Sequence, residues 1–586
     1  MKQTNRSIIL AVTLFTLLQC GMKAQERVVQ MPNRDQLMSA HIRVLFQDKE
    51  GYMWYGMKSD GLYRDDGYHL VSFRSDFLHP EVQMNNNIMS LCEDQSNRLW
   101  IGTKRGLYIL DKHDYSIKPT GDQKLQIWTM DAVKASTGDS IWAFANNHLL
   151  TYGHDGNCTS QMPVESNPLV TADRKQITDR RGNVWQLDDY GMTTVRTRSF
   201  VIWEEVNPDT LSLCQLVPVS RAGNLPSDTR VHAVWHAADD TKWIGTSMGL
   251  MKVTPGAEPE KVGSHFGVVN ALSSSADGTI YLNTERQGLI SYKDGVIAKL
   301  DSTIRNVSAL CLEGKSLWIT TSDGRLLVYD VAKKTVIDKS ADCSLRGDTP
   351  CGVVVINGYV WVLFNQYILV YSPSQNLLQN VFPTDLSPQP LFFQGIYTDG
   401  DRRVFIECED KTYEIRWAFD EGNPVTQEVV TLSAYETMRG TFCLGLGQNQ
   451  LYLTAKERVA HLFFTTFDHL NARHIRYAYR RDDDQDWQYL ELGQNEVRII
   501  KLTPGDNIVQ VKATNAFGEW SQQITTITIH VEAHWYETVW AIITYGVFAA
   551  VLIGFLIWWR RKVMKKKEKK KMEMEEKVEK VEVVEE

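Results

Sequence analysis

Fourteen histidines and nine cysteines are spread thinly along 586 residues. HExxH, GxSxG, P-loop and EF-hand loop patterns are all absent. His232 and His236 stand four apart, but on a strand that spacing puts them about 13 Å apart along one face, too far to share a metal. The acidic pairs Asp65-Asp66 and Asp239-Asp240 fall in turns, where solvated carboxylates are the rule. The expectation is therefore no enzyme, no metal and no cofactor. A different set of residues fits binding. Asn87, Trp128, Arg230, His232, Asn270, Arg305 and Asn306, with Asn85 and Asn86, stand where loops run into short apolar strands. Amide and guanidinium groups pair with sugar hydroxyls, and an indole covers sugar CH faces. Arginine suits a uronic or sulfated sugar.

The elements that must hold these residues come from a repeated unit. Ile42–Trp54, Ile88–Trp100, Val231–Trp243 and Val269–Tyr281 each place a β-branched residue twelve positions before an aromatic, and Val307–Trp318 is one shorter. Weaker copies centre on Trp142, Trp185, Trp361, Phe405 and Tyr452. A period near 43 residues with strand–turn–strand content is a β-propeller signature. In this architecture the Trp packs between neighbouring sheets, and the small residue in WIG or WYG (Gly56, Gly102, Gly245) lets backbones approach. These residues read as structural. The expected fold class is all-β: a propeller of nine or ten units over 25–461, a second small β domain, and one transmembrane helix.

Residues 462–533 change character. IRYAYR, VQVKATNAFGEW and ITIHV alternate with period two around the turns at Asp482–Asp484 and Pro504-Gly505, as in a fibronectin-III-like sandwich. The ends are of another kind. Lys2 and Arg6 precede the uncharged run Ser7–Leu18, so 1–24 reads as a secretory signal. Trp540–Trp559 is an uncharged run of 20 residues flanked by Trp and Tyr, matching one hydrocarbon core of about 30 Å. The expected span is 539–559, and 560–586 is a cytoplasmic basic and acidic coil stub opening with nine Lys/Arg in the next twelve residues. Positive charge stays inside, so the ectodomain is periplasmic and the helix crosses the inner membrane once. The net charge of −8 hides this division. Residues 25–559 carry 49 basic and 63 acidic side chains, a net of −14. An acidic body argues against direct nucleic-acid binding. Cys343 and Cys351 are spaced to close a short loop by a disulfide.

The unit I-x-x-L-x-x-D-x-x-G-x-x-W-x-G-x-x-x-G-L, as in NNNIMSLCEDQSNRLWIGTKRGL (85–107) after LYRDDGYHLVSF (62–73), resembles the propeller repeat of periplasmic sensors in Bacteroidetes hybrid two-component systems. RYAYRRDDDQDW, KLTPGDNIVQVKATNAFGEWS and WYETVW resemble their triple-tyrosine domain, with Ile499, Ile500 and Asn507 standing where tyrosines are usual. The resemblance implies a sensor that binds oligosaccharides and signals across the membrane to regulate transcription. It also implies a homodimer, or pairing with a full-length sensor. The 27 residues after Trp559 hold no kinase, receiver or helix-turn-helix, so output is expected through a partner. Two alternatives stand beside this. One is a propeller-fold lyase or glycosidase, which would show paired carboxylates at the channel mouth. The other is a truncated, non-signalling scaffold or decoy.

Overall fold

The structure is a computed structural model that describes residues 25–582 apart from short stretches, the longest being 76–83, 383–390 and 418–427. The expected signal at 1–24 and the turn at 482–485 lie outside the described residues. Nine antiparallel sheets follow one another along the chain, eight of four strands and one of five. They are the blades of a β-propeller architecture.

The blades form two groups. In the first, sheets span 42–73, 88–120, 129–163 and 176–199, and Gln25–Gln30 is the outermost strand of the fourth by pairing with Thr193–Ser199. In the second, sheets span 215–263, 269–299, 307–338, 352–381 and 393–417, and Val201–Val206 completes the last by pairing with Lys411–Trp417. In each group the strand that precedes it thus becomes the outermost strand of the last blade. Hydrophobic cores in the second group join every blade to the next, and the ninth back to the fifth through Val234, Ile244, Tyr397 and Phe405. It is a closed ring of five. Cores in the first group join the fourth blade to the first, the first to the second and the second to the third.

The repeated Trp and Gly do the work their types dictate. Trp54, Trp100, Trp185 and Trp361 are fully buried. A Cβ on Gly56 would lie 2.4 Å from Val44 Cγ1 and 2.7 Å from Ile88 Cγ2 of the next blade, so only glycine fits. In three blades of the first group an aspartate six residues upstream accepts the indole N–H: Asp48 from Trp54 at 2.8 Å, Asp94 from Trp100 at 2.9 Å, and Asp179 from Trp185 at 2.8 Å. The other carboxylate oxygen takes backbone amides of the turn, so one side chain holds both the turn and the Trp.

The C-terminal sandwich is larger than the 462–533 expected. Thr431–Thr437, Gly440–Cys443 and Ala460–Thr465 share one sheet with Glu496–Ile499. Gln450–Leu453 pairs in parallel with Thr525–Val531 in the other, beside Gly505–Ala513, Tyr477–Arg481 and Gln488–Tyr489. The unit centred on Tyr452 is therefore a strand pair of the sandwich and not a tenth blade. Tyr452 itself is 68% exposed, whereas a blade aromatic would be buried. Asn507, where a tyrosine is usual, ties down its own turn: its side chain accepts from the Thr503 amide at 3.0 Å and donates to the Thr503 carbonyl at 2.8 Å. Cys343 and Cys351 are not joined by a disulfide and do not close the loop. Among the described residues one helix, Val539–Glu582, is long and apolar enough to cross a membrane, and it runs on without a break through the basic segment.

Candidate functional site

Six blades share one irregularity at the start of the strand that opens the four-strand meander, which is the innermost strand in all but the fifth sheet, where Gln215–Val217 lies inside it. The strand register slips between Ile42 and Val44, Ile88 and Ser90, Val231 and Ala233, Val269 and Ala271, Val307 and Ala309, and Phe393 and Gly395. A β-bulge leaves its extra residue unpaired and re-aims that side chain. The extra residues are Arg43, Met89, His232, Asn270, Ser308 and Gln394. Trp128 occupies the corresponding place in the third blade, where its amide donates to Phe144 O at 3.0 Å just ahead of Thr129–Ala135.

The residue before each bulged pair is fixed by a second repeated bond. The carbonyls of Asn87, Arg230 and Asn306 accept amides from Lys104 (2.9 Å), Ser247 (2.9 Å) and Ser322 (2.7 Å), each just past the end of the blade's second strand. Asn306 sits in the left-handed region at φ 57°, which asparagine tolerates better than most residues. Six of the seven residues singled out in the sequence thus fall into two recurring positions, two residues apart, at the same end of their blades, and Arg305 stands one residue before the first of them.

They do not form one site. Asn87 and Trp128 belong to the second and third blades of the first group, Arg230 and His232 to the fifth blade, and Asn270, Arg305 and Asn306 to the sixth and seventh. Only the last three line a common recess, of about 490 Å³, with Asn283, Thr284, Glu285, Ser308 and Ser322. Asn270 is clamped there. Its Nδ2 donates to Val307 O at 3.0 Å and its Oδ1 accepts from Asn283 Nδ2 at 2.8 Å, which fixes the amide's orientation. Arg305 and Asn306 are exposed at the rim. His232 lies outside this recess, and burial together with the Arg230 charge holds its imidazole below the usual range. Among the described residues no cluster of three or more His, Cys, Asp or Glu side chains could hold a metal.

Sequence reasoning missed Asn283, Ser308, Gln394 and Arg43. A signal was present. Five of the six bulges fall in an apolar–x–small triplet (IMS, VHA, VNA, VSA, FQG) and the first in IRV, and x is the re-aimed residue.

The sandwich touches both groups of blades. Toward the first, the Tyr68 hydroxyl donates to Ala472 O at 2.7 Å. His469 Nε2 donates to Gly51 O at 2.9 Å, and Arg181 makes a bidentate pair with Glu428 at 2.7 and 3.0 Å. Toward the ring of five, Asn380 N donates to Phe517 O at 3.0 Å, Arg476 pairs with Asp348, and His474 stacks on Phe382 at 3.7 Å. The His474 imidazole is pushed down to about 4 by burial, so it stacks as a neutral ring.

Residues 83–105 match the family model described as two component regulator propeller, and residues 468–532 match the Y_Y_Y domain. No curated protein matches the chain. Among solved structures, the extracellular domain of the "putative hybrid two component system BT3049" from B. thetaiotaomicron aligns over 87% of this chain and 100% of its own, with 14% identity and a TM-score of 0.52. The extracellular domain of the "putative one component system BT4673" from the same organism aligns over 86% of this chain and 82% of its own, with 13% identity and a TM-score of 0.28. The first of these shares the fold. In its repeat, its C-terminal domain and its overall architecture, the chain is similar to the sensor regions of two-component-type regulators, and it carries one helix able to span a membrane.

Proposed function

We propose that this chain is a membrane-anchored sensor that binds an oligosaccharide or similar ligand at the mouths of its blades and passes a conformational signal through the sandwich to its single span. The observation that carries this is the recess around Asn270, Arg305 and Asn306. It is concave, polar and built from repeated bulges, with one amide already oriented by two hydrogen bonds. Such pre-organisation lowers the cost of ordering side chains on a hydroxyl-rich ligand. The body lies outside the cytoplasm in this reading, because the basic run from Arg560 to Lys571 stays inside. A ligand shifts the ectodomain only by binding one arrangement more tightly than another. The sandwich, bonded to both groups of blades, is the part that would register that shift. Control of transcription then runs through a cytoplasmic partner, and the sensor works as a homodimer or paired with a related one. An enzymatic reading finds little support in the recess: Glu285 is the one carboxylate among the described residues lining it, whereas glycoside hydrolysis uses two.

Calorimetry of the full chain in detergent micelles against a panel of neutral oligosaccharides tests the reading. Binding that weakens about tenfold in Asn306→Ala, by loss of hydrogen bonds at the rim, is the expected result. No heat with any saccharide would count against it, and release of product would move catalysis ahead.

A further inference from the structure

The blades and the membrane helix meet the sandwich at opposite ends. Glu428, His469, Ala472 and Phe517, which bond to the blades, all lie beyond the same end of its strands. Glu428 precedes Thr431–Thr437, His469 and Ala472 follow Ala460–Thr465, and Phe517 follows Gly505–Ala513. The other end closes on the terminal pairs Thr437 with Gly440, Ala460 with Ile499, and Val531 with Leu453 and Gly505. The chain runs from this end, after Val531, into the helix that opens at Val539.

Three segments of that end are gathered on Arg458. Its guanidinium pairs with Glu537 at 2.5 Å. Its carbonyl accepts from the Leu502 amide at 3.1 Å, and its neighbour Glu457 accepts from Arg439 Nε at 2.8 Å. Each segment carries an apolar side chain in the open. Met438 is 84% exposed, the most of any large apolar residue among those described, while Ile500 is 50% and Trp535 76% exposed. Met438 occupies the two-residue turn Met438-Arg439 of a hairpin, where glycine, asparagine and aspartate are the usual choices. A single exposed apolar residue is ordinary, but three on converging tips form a patch.

We infer that this end of the sandwich rests on the surface of the bilayer that the helix crosses. Met438, Ile500 and Trp535 would enter the headgroup layer, and the exposed Lys456 and Lys501 would meet lipid phosphate. The occupant follows from continuity. Glu537 is tied to Arg458 and the apolar run opens at Trp540, so the tips around Arg458 stand at the height where the chain enters lipid. The contact is apolar first. Glu532 is exposed at this end, and Asp482, Asp483 and Asp484 follow Arg481 in the sequence, so net charge alone would not draw it to lipid. Seated this way, the tilt of the sandwich and the direction of the helix are set together. The inference rests on the helix lying in the bilayer and is independent of any ligand.

The test places the full chain in phosphatidylcholine nanodiscs containing a phospholipid with a diazirine on its headgroup. Light-induced adducts are then mapped by peptide mass spectrometry. Adducts at Met438 and Ile500 are expected at about fivefold or more over the turn 188–191, which bonds to Ile42 at the mouth end of the blades. The double variant Met438→Asp, Ile500→Asp should lower both yields about threefold or more. Both residues are exposed, so the melting temperature should hold. Yields no higher than at 188–191 overturn the inference, as does a double variant that labels as the wild type does. A lipid with the diazirine in its acyl chain marks residues 540–559 whether or not the sandwich docks. Adducts there without adducts at the tips overturn the docking alone, and none there overturns the span and the docking together.

Discussion

Glu537, two residues before the membrane helix, accepts a hydrogen bond from Arg458 of the sandwich at 2.5 Å. The same carboxylate oxygen accepts the His534 amide at 3.0 Å, closing a capping box on the short turn Trp535–Glu537. Upstream, Glu532 N donates to Leu453 O at 3.0 Å, directly after the parallel pairing of Gln450–Leu453 with Thr525–Val531. The chain is therefore tied to the sandwich until it turns into the helix, and Arg458 to Glu537 is the last side-chain tie.

Arg458→Ala should leave the melting temperature of the chain nearly unchanged, because both partners are partly exposed. It should free the connector. Hydrogen exchange at the amides of His534 and Glu537 is expected to accelerate, while the core strand Gly505–Ala513 keeps its protection. Unchanged exchange at those two amides would mean that the pair does not hold the connector.

The Asp94–Trp100 bond gives a second prediction. Burial works to raise the Asp94 pKa, but the Trp100 indole and the Arg98 backbone and side chain outweigh it, so the carboxyl sits below its usual value of 3.8. A depressed folded-state pKa contributes stability above the unfolded value, and that contribution is lost as pH falls through the folded value. Asp94→Asn removes a charge-assisted bond and should cost about 1–3 kcal/mol near neutral pH. The gap in melting temperature between the variant and the wild type should persist down to about pH 4 and narrow below it.

How much of this was legible beforehand depends on whether a contact recurs. Radial packing forces the same Trp and Gly contacts on each blade, so a period near 43 residues exposed them. The mouth positions of Asn87, Arg230 and Asn306 were found for the same reason. The bulges went unnoticed as such, because a register slip is a property of two paired strands and neither shows it alone. Grouping into four and five blades was out of reach. It depends on Val201–Val206 pairing with Lys411–Trp417 across some two hundred residues, and the alternation of either strand names no partner. The sandwich boundary was misplaced because Thr431–Thr437 and Gln450–Leu453 alternate as a blade hairpin does. Only their pairing with Ala460–Thr465 and Thr525–Val531 separates them from the propeller.

Gly56 tests the close approach of the first two blades. A methyl there would press on Val44 and on Ile88, both inside packed cores, so neither can move away freely. Gly56→Ala should therefore cost about 1–3 kcal/mol by overpacking. Gly278 is the control. A Cβ there meets nothing within 4 Å, and only its φ of +81° opposes a side chain, which makes Gly278→Ala cheaper, at about 1 kcal/mol. Thermal unfolding that ranks the two variants the other way would show that the blades are not held in contact at Gly56.

His469 makes the docking of the sandwich on the first group of blades depend on pH. Its ring is buried, with Nε2 on Gly51 O at 2.9 Å, Nδ1 3.9 Å from Asp65 Oδ1, and Trp185 edge-on at 6.2 Å. Burial alone would lower its pKa. The nearby Asp65 carboxylate, with Gly51 O and the more distant Asp179, outweighs burial and raises it above 6.5. A raised folded-state pKa contributes stability that is complete below the unfolded value and is lost as pH rises through the folded one. Neighbouring charges are already committed, Asp65 to the Tyr55 hydroxyl at 2.8 Å and Arg181 to Glu428, so the imidazolium has no ready substitute. Raising the pH from neutral into the mildly alkaline range should therefore speed exchange of amides in the blade turn that the sandwich covers, such as Gly67 and Tyr68, held by Asp65 and Asp66, and lower the melting temperature. In His469→Gln, which keeps a donor for Gly51 O but cannot titrate, both should be flat across the same range. A wild type that is equally flat would show that His469 stays neutral in the folded protein and that docking rests on the Tyr68 and Arg181 bonds alone.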